Sequence, residues 1–266
     1  MKPNLLSRRT LITAVVGLPL LSVHAQVSDL GDAINKAGRQ RMLSQRMGKA
    51  WLALVHGIEK NNAQTVLDKS LALFDRQLVE LKAFAASADI QATYAKLDAS
   101  WTAYKTALVG STPSRDHAAT MLQLNAGVLA LAHQGTVQYE AVQGRPTGKL
   151  VNVAGRQRML SQRMAMFYLA ARLPVDAASA GAEIDKARTE FVSAMAFLRK
   201  APETTARIQE ELQLADGQWI FLDAALKRVG TAEAGAVKPL TEVFTASENL
   251  LTVMDRVTGM YSSLKT

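Results

Sequence analysis

Asn35-Lys36-Ala37-Gly38-Arg39-Gln40-Arg41-Met42-Leu43-Ser44-Gln45-Arg46-Met47 returns as Asn152 to Met164 with one change, Lys36 to Val153. From Ala37 to Met47 and from Ala154 to Met164 the two copies are identical, whereas the rest of the two halves shares little beyond its apolar pattern. A duplicated scaffold needs only pattern and volume to fold, so its identities are free to drift. Two preserved copies of an arginine-rich helix therefore read as two halves of a site.

Set on a helical wheel at about 100° per residue, the stretch separates into two faces. Leu43, Met47, Ala50 and Leu54 fall in a narrow arc that belongs in a local core. Ile34, Gly38, Arg41, Gln45, Gly48 and Leu52 fall opposite, and Val151, Gly155, Arg158, Gln162, Ala165 and Leu169 repeat the arrangement. Small residues around one arginine predict close approach of a second helix. Facing copies would bring Arg41 and Arg158 together, with repulsion of about 1–4 kcal/mol at about 4 Å. A planar oxyanion (nitrate, nitrite or a carboxylate) between them would turn that repulsion into charge-assisted hydrogen bonds. Gln45 and Gln162 would add amide donors, with Lys36, Arg39, Arg46, Arg156 and Arg163 at the flanks. The alternative is that these arginines lie along a helix surface or pair with acids such as Asp75 or Glu80.

Beyond the motif, the mature chain has helical period throughout. Ile90, Tyr94, Leu97, Trp101, Tyr104 and Leu108 form a 4-3-4-3-4 seam, and Ile208, Leu212, Ala215, Trp219, Leu222 and Leu226 repeat it. Breaks fall at Gly57–Asn62, Ser87–Asp89, Gly110–Ser114, Gly144–Gly148, Pro174, Ala201-Pro202 and Gly230–Pro239. The expected fold is all-α: two tandem antiparallel four-helix bundles over residues 26–143 and 149–266. The linker Gly144–Gly148 spans at most about 17 Å, at roughly 3.4 Å per residue. It permits a side-by-side pseudo-dimer in which both motif helices run parallel at one height. The alternative, against which Gly144, Pro146 and Gly148 argue, stacks the bundles end to end on a continuous helix across the linker.

Residues 1–25 read as an export signal. Ser7-Arg8-Arg9-Thr10-Leu11-Ile12 has a twin-arginine pattern, the apolar run Leu11–Val23 follows, and Val23-His24-Ala25 precedes a cut before Gln26. A Sec signal carrying two arginines is the alternative; either route predicts a periplasmic protein. Removing Lys2, Arg8 and Arg9 lowers the formal charge from +8 to +5, and subtracting the six motif arginines leaves −1. Positive charge is thus concentrated in the motif, and an exported chain of this kind is a poor nucleic-acid partner.

The chain has no Cys, which excludes thiolate chemistry, and its four His show no metal-ligand spacing. No paired carboxylates or nucleophile–base arrangement stands out, so neither an enzyme nor a cofactor is implied. Met42, Met47, Met159 and Met164 read as core fillers and Trp51, Trp101 and Trp219 as packing anchors. Ser44 and Ser161 read as helix-surface hydroxyls.

The pattern Asn-x-Ala-Gly-x-x-Arg-Met-x-Ser-x-Arg resembles the box in the periplasmic sensor domains of NarX- and NarQ-type nitrate/nitrite kinases. It resembles equally the N-terminal domain of the pilus chemotaxis transducer PilJ. The resemblance implies four-helix domains with the box on the first helix, and an anion-binding role for the arginine before Met. By residue match that role falls on Arg41 and Arg158, with Gly38 and Gly155 giving close approach. Lys36 matches the family lysine, which Val153 lacks, and Arg46 and Arg163 match the later arginine. The expectation is a non-enzymatic periplasmic sensor for nitrate or nitrite working with a membrane-bound signalling partner. The competing expectation is a ligand-free module docking a membrane sensor or pilus component through the same helix faces.

Overall fold

The computed structural model describes residues 26–173, 177–228 and 236–264. The expected export signal, the break at Pro174 and most of the break at Gly230–Pro239 lie outside the described residues. Eight α-helices follow one another: α1 Leu30–His56, α2 Lys60–Ala83, α3 Ala88–Val109, α4 Ala118–Gln143, α5 Pro146–Ala170, α6 Ala177–Lys200, α7 Ala206–Leu226 and α8 Val237–Ser262. Among the described residues there is no strand, and no helix is long and apolar enough to cross a membrane.

Local chemistry sets the helix ends. Asp29, Ser87 and Thr205 accept from the backbone N–H three residues on and cap α1, α3 and α7. Gly57 closes α1 in the left-handed region at φ 71°. The expected break at Gly144–Gly148 shrinks to Gly144 and Arg145, because Pro146 takes the first turn of α5, where a missing N–H costs nothing.

Helix α1 packs on α2 and α4, α5 packs on α6 and α8, and α3·α4 and α7·α8 complete the two sets. Equivalent aromatic pairs anchor them: Phe74 stacks on Trp101 at 4.0 Å and Phe191 on Trp219 at 4.5 Å between centroids. Tyr139 donates to the Leu81 carbonyl on one side and Tyr261 to the Leu198 carbonyl on the other.

The motif helices α1 and α5 lie against each other. A Cβ built at Gly38 would lie 3.9 Å from the Gly155 Cα, and one at Gly48 would meet the Met166 sulfur at 2.6 Å. Ile34 approaches Gly148, and Gln45 accepts from Arg163. Contacts advance along both helices in the same direction, so the pair is parallel. The wheel's two faces also separate: Leu43, Met47 and Ala50 are buried in the core, while Gly38, Arg41 and Gly48 face α5.

A side chain at position 38 would have to displace the Arg41 guanidinium, whose Nη2 lies 3.2 Å from the added Cβ. Gly38→Leu should therefore destabilise the fold by about 1–3 kcal/mol, the usual cost of overpacking. Gly217→Ala meets no atom within 4 Å and should gain about 0.5–1 kcal/mol of helix propensity. Urea unfolding of both variants measures the contrast.

Candidate functional site

Arg41 and Arg158 are both 0 % exposed and rank among the largest fully buried side chains. Each reaches across the α1–α5 contact to the opposite helix. Arg41 Nη2 donates to the Asn152 carbonyl at 3.2 Å, and Arg158 Nη2 donates to the Asn35 carbonyl at 3.0 Å. These are pseudo-equivalent bonds, since Asn35 and Asn152 open the two motif copies. Glycine at 38 and 155 leaves room for both guanidiniums, each of which has an Nη2 within 3.7 Å of a Cβ built at either glycine.

Symmetry ends at Nη1. Arg158 Nη1 donates to Asp255 Oδ1 at 2.5 Å, and Arg39 Nη2 shares the same oxygen at 2.9 Å. Arg41 Nη1 instead meets His133 Nδ1 at 3.2 Å. Guanidinium has no acceptor, so the ring nitrogen accepts. His133 and Asp255 are equivalent positions, both 122 residues apart like Thr136 and Thr258, or Tyr139 and Tyr261. Thr136 bonds back to Ala132 as Thr258 does to Met254. One motif arginine thus has a carboxylate and the other a neutral imidazole.

Electrostatics follow. Burial, then Arg156 and Arg158, push the Arg41 pKa down to about 9. Burial also lowers Arg158, to about 10, but there Asp255 opposes the shift. His133 is pushed down to about 4 by burial, then by Arg41 and Arg156, so it is neutral at pH 7. Burial would raise Asp255, but Arg158 and Arg39 outweigh it and hold the carboxyl down to about 2. Among the described residues no acid lies within ion-pair distance of Arg41. Arg41 Nε is buried and has no hydrogen-bond partner, as is also true of Arg158 Nε.

Beside Arg41 opens a cavity of about 260 Å³ between α4, α5 and α6. Arg41, His133, Arg156, Arg163 and Lys186 supply its cationic and polar wall, and Ala126, Leu129, Ala130, Met159, Leu160 and Ala187 its apolar wall. Glu183 and Glu190 also line it, but each is held by an arginine: Glu183 by Arg163 at 2.8 Å and Glu190 by Arg156.

The remaining expected site residues are dispersed. Lys36 pairs with Glu80 at 2.8 Å and Asp32 at 3.1 Å. Arg46 and Lys49 share Glu248; burial would raise that carboxyl, but Lys49 and Arg46 outweigh it and hold it at about 2. Gln45 donates to Asn125 Oδ1 at 2.7 Å, and Gln162 to the Ser247 carbonyl at 2.9 Å. Asp75 pairs with Lys105, not with a motif arginine. Ser44 and Ser161 are not surface hydroxyls. Both are buried and donate to the carbonyls of Arg41 and Arg158, because α1 and α5 are covered on nearly every side. Sequence reading missed His133, Asp255 and Glu248. Aligning α4 with α8 at an offset of 122, instead of the motif's 117, is the signal that exposes them.

These features define a class: an all-helical module with duplicated arginine-motif helices in parallel contact. The family model of the type IV pili methyl-accepting chemotaxis transducer N-terminal domain, PilJ, matches residues 23–126 and again 141–243. The chain belongs to this family, in two tandem copies. Neither a curated protein nor a solved structure matches it.

Two predictions follow from the arginine partners. Breaking a fully buried pair costs about 3–5 kcal/mol, and Asp255→Asn should cost less, about 1–3 kcal/mol, because its side chain is 43 % exposed. Chemical denaturation measures it. The second concerns pH. The folded pKa of His133 lies below its ordinary 6.5, so the unfolded chain binds the extra proton first. Stability should fall as pH drops from about 6.5 towards 4, and His133→Asn should reduce that leg, leaving the share of His56, whose pKa burial also lowers. Asp255 and Glu248 contribute stability present above about pH 4 and lost towards pH 2. Their leg should persist in the His133 variant.

Proposed function

We propose that this chain is a non-enzymatic, periplasmic sensory module whose signal is a planar oxyanion held at Arg41. Family membership supports a sensory or interaction module of the kind found in chemotaxis transducers. The observation carrying the finer reading is the inequality of two otherwise equivalent arginines: Arg158 has Asp255, whereas Arg41 has a neutral imidazole and an adjoining cavity. A dry cation lacking a counter-charge attracts an anion of matching geometry. Nitrate, nitrite and carboxylates all present the flat oxygen pair that suits a guanidinium fork.

In this reading Arg158, expected from the sequence as the second ligand, is a structural partner of Asp255. Arg41 is the receptor residue, with Arg156 and Arg163 beside it. An anion on Arg41 would compete with His133 and alter the bond to the Asn152 carbonyl, one of the two guanidinium clasps between α1 and α5. Occupancy thereby biases how the motif helices sit on each other, and differential affinity for the two arrangements is what a sensor requires.

The docking alternative draws on the same family membership, and one structural fact changes its route. The motif faces are turned on each other within a single chain, so a membrane-bound signalling partner would contact the outer helices instead.

Titration calorimetry of the purified protein with nitrate and nitrite, against chloride, tests the oxyanion reading. Saturable binding of one anion per chain is expected. Arg41→Met, which keeps an apolar stem, should lose binding, while Arg158→Met should lose stability but retain the anion. Unchanged affinity in Arg41→Met would remove Arg41 from the role. Absence of binding by every oxyanion would leave the docking module as the function.

A further inference from the structure

We propose that the ligand of the α4–α5–α6 cavity is a small organic carboxylate with an apolar body, seated on Arg41 as the chain's own Asp255 is seated on Arg158. The inference rests on the oxyanion reading above and narrows its chemistry.

The seat is defined by internal comparison. On the α8 side, a carboxylate oxygen from Asp255 lies between Arg158 Nη1 at 2.5 Å and Arg39 Nη2 at 2.9 Å. The pseudo-equivalent donors on the α4 side are Arg41 Nη1 and Arg156, which correspond at the motif's offset of 117. The side chain standing in the place of Asp255 there is His133. A second acid completes the difference. Glu248 bonds Arg46 and Lys49 on the α8 side, and its α4 counterpart, at the same offset of 122, is Ala126, a cavity residue. Where α8 carries two carboxylates, α4 carries an imidazole and a methyl group. The space and the donor remain, and the acid is missing.

Size and lining separate a carboxylate with a body from a bare inorganic anion. Water occupies about 30 Å³ in the liquid, and nitrate has only four heavy atoms, so it fills a minor part of a 260 Å³ cavity. Beyond its charged groups and the imidazole, the wall is aliphatic or thioether: Ala126, Leu129, Ala130, Met159, Leu160 and Ala187. Such a wall rewards carbon and cannot satisfy additional oxygens. Ala126, Ala130 and Lys186 are solvent-exposed, so the cavity is reached from outside. Glu183 and Glu190 are already neutralised by Arg163 and Arg156, which leaves Arg41 as the buried donor without an acidic partner, beside the exposed Lys186 at the mouth. The carboxylate takes Arg41 Nη1 from His133 Nδ1, and the released ring gains an anion in place of a bare guanidinium.

The test is a chain-length series of acetate, butyrate and hexanoate, with nitrate, chloride and the neutral butanol as controls, read by calorimetry and by NMR of the His133 ring. Affinity should rise about fourfold per added methylene while the cavity fills, from the transfer free energy of a buried CH₂. Butanol and chloride should not bind, and the His133 ring should titrate at higher pH when butyrate is bound. His133→Asp, which plants the carboxylate that Asp255 supplies on the other side, should raise the melting temperature and abolish butyrate binding. Ala130→Leu should remove the chain-length gain and leave acetate unaffected. Nitrate and hexanoate binding equally well would overturn the organic carboxylate and leave the oxyanion sensor standing. Butanol binding as tightly as butyrate, or His133→Asp binding butyrate unchanged, would overturn the Arg41 seat. If no anion binds, the oxyanion reading beneath the inference falls with it.

Discussion

Two guanidiniums buried in one helix–helix contact set the terms for the rest of the molecule. Each must find acceptors without water, and each finds the first on the opposite helix, at the Asn152 and Asn35 carbonyls. Those bonds require the backbones to come close, and glycine at 38 and 155 permits it. They also tie register to chemistry. Sliding α1 along α5 by one turn, about 5.4 Å, would strand both cations at once. Apolar packing alone tolerates neighbouring registers far better than a dry, hydrogen-bonded charge does.

The surrounding core is built to satisfy polar groups as much as to exclude water. Helix α1 is covered by α2, α4 and α5, yet carries Gln40, Arg41, Ser44, Gln45 and Lys49 at 0 % exposure. Gln40 donates to the Phe74 carbonyl, Gln45 to Asn125, and Lys49 to Ser247 and Glu248. Tyr104 and Asn125 both donate to the Ser44 carbonyl. A helix of this composition, isolated, reads as a surface helix. Its burial is possible because Gln40, Arg41, Gln45 and Lys49 are answered from α2, α4, α5 or α8, while Ser44 bonds back to its own helix.

That explains what the sequence disclosed and what it concealed. The all-α class follows from period, and the contact face follows from Gly38, Arg41 and Gly48 sharing one arc. The hydroxyls of Ser44 and Ser161 were misplaced because a wheel distinguishes two faces, whereas a helix enclosed by several neighbours has no free one. His133 and Asp255 escaped for a different reason. They belong to the fourth helix of each half, where the spacing between equivalents changes from 117 to 122 across the connections before α4 and α8. Their residue types differ, so even correct alignment shows a substitution, not a repeat. Only the shared Nη1 position makes the substitution meaningful.

Duplication within one chain is what makes that substitution possible. In a dimer of identical chains both arginines must have the same partner, so both carry a counter-ion or neither does. Fusion frees each half to diverge. One half now holds its arginine with an acid of its own, which fixes that side of the α1–α5 contact without any bound ligand. The other half meets its arginine with an imidazole that is neutral at pH 7 and a cavity lined by carbon. For a sensor of the proposed kind, a rigid side would give the responsive side something to move against. In the oxyanion proposal, an anion at Arg41 would act on one clasp while Asp255 holds the other, so occupancy would become a tilt or slide of α1 relative to α5 and not a simultaneous loosening of both.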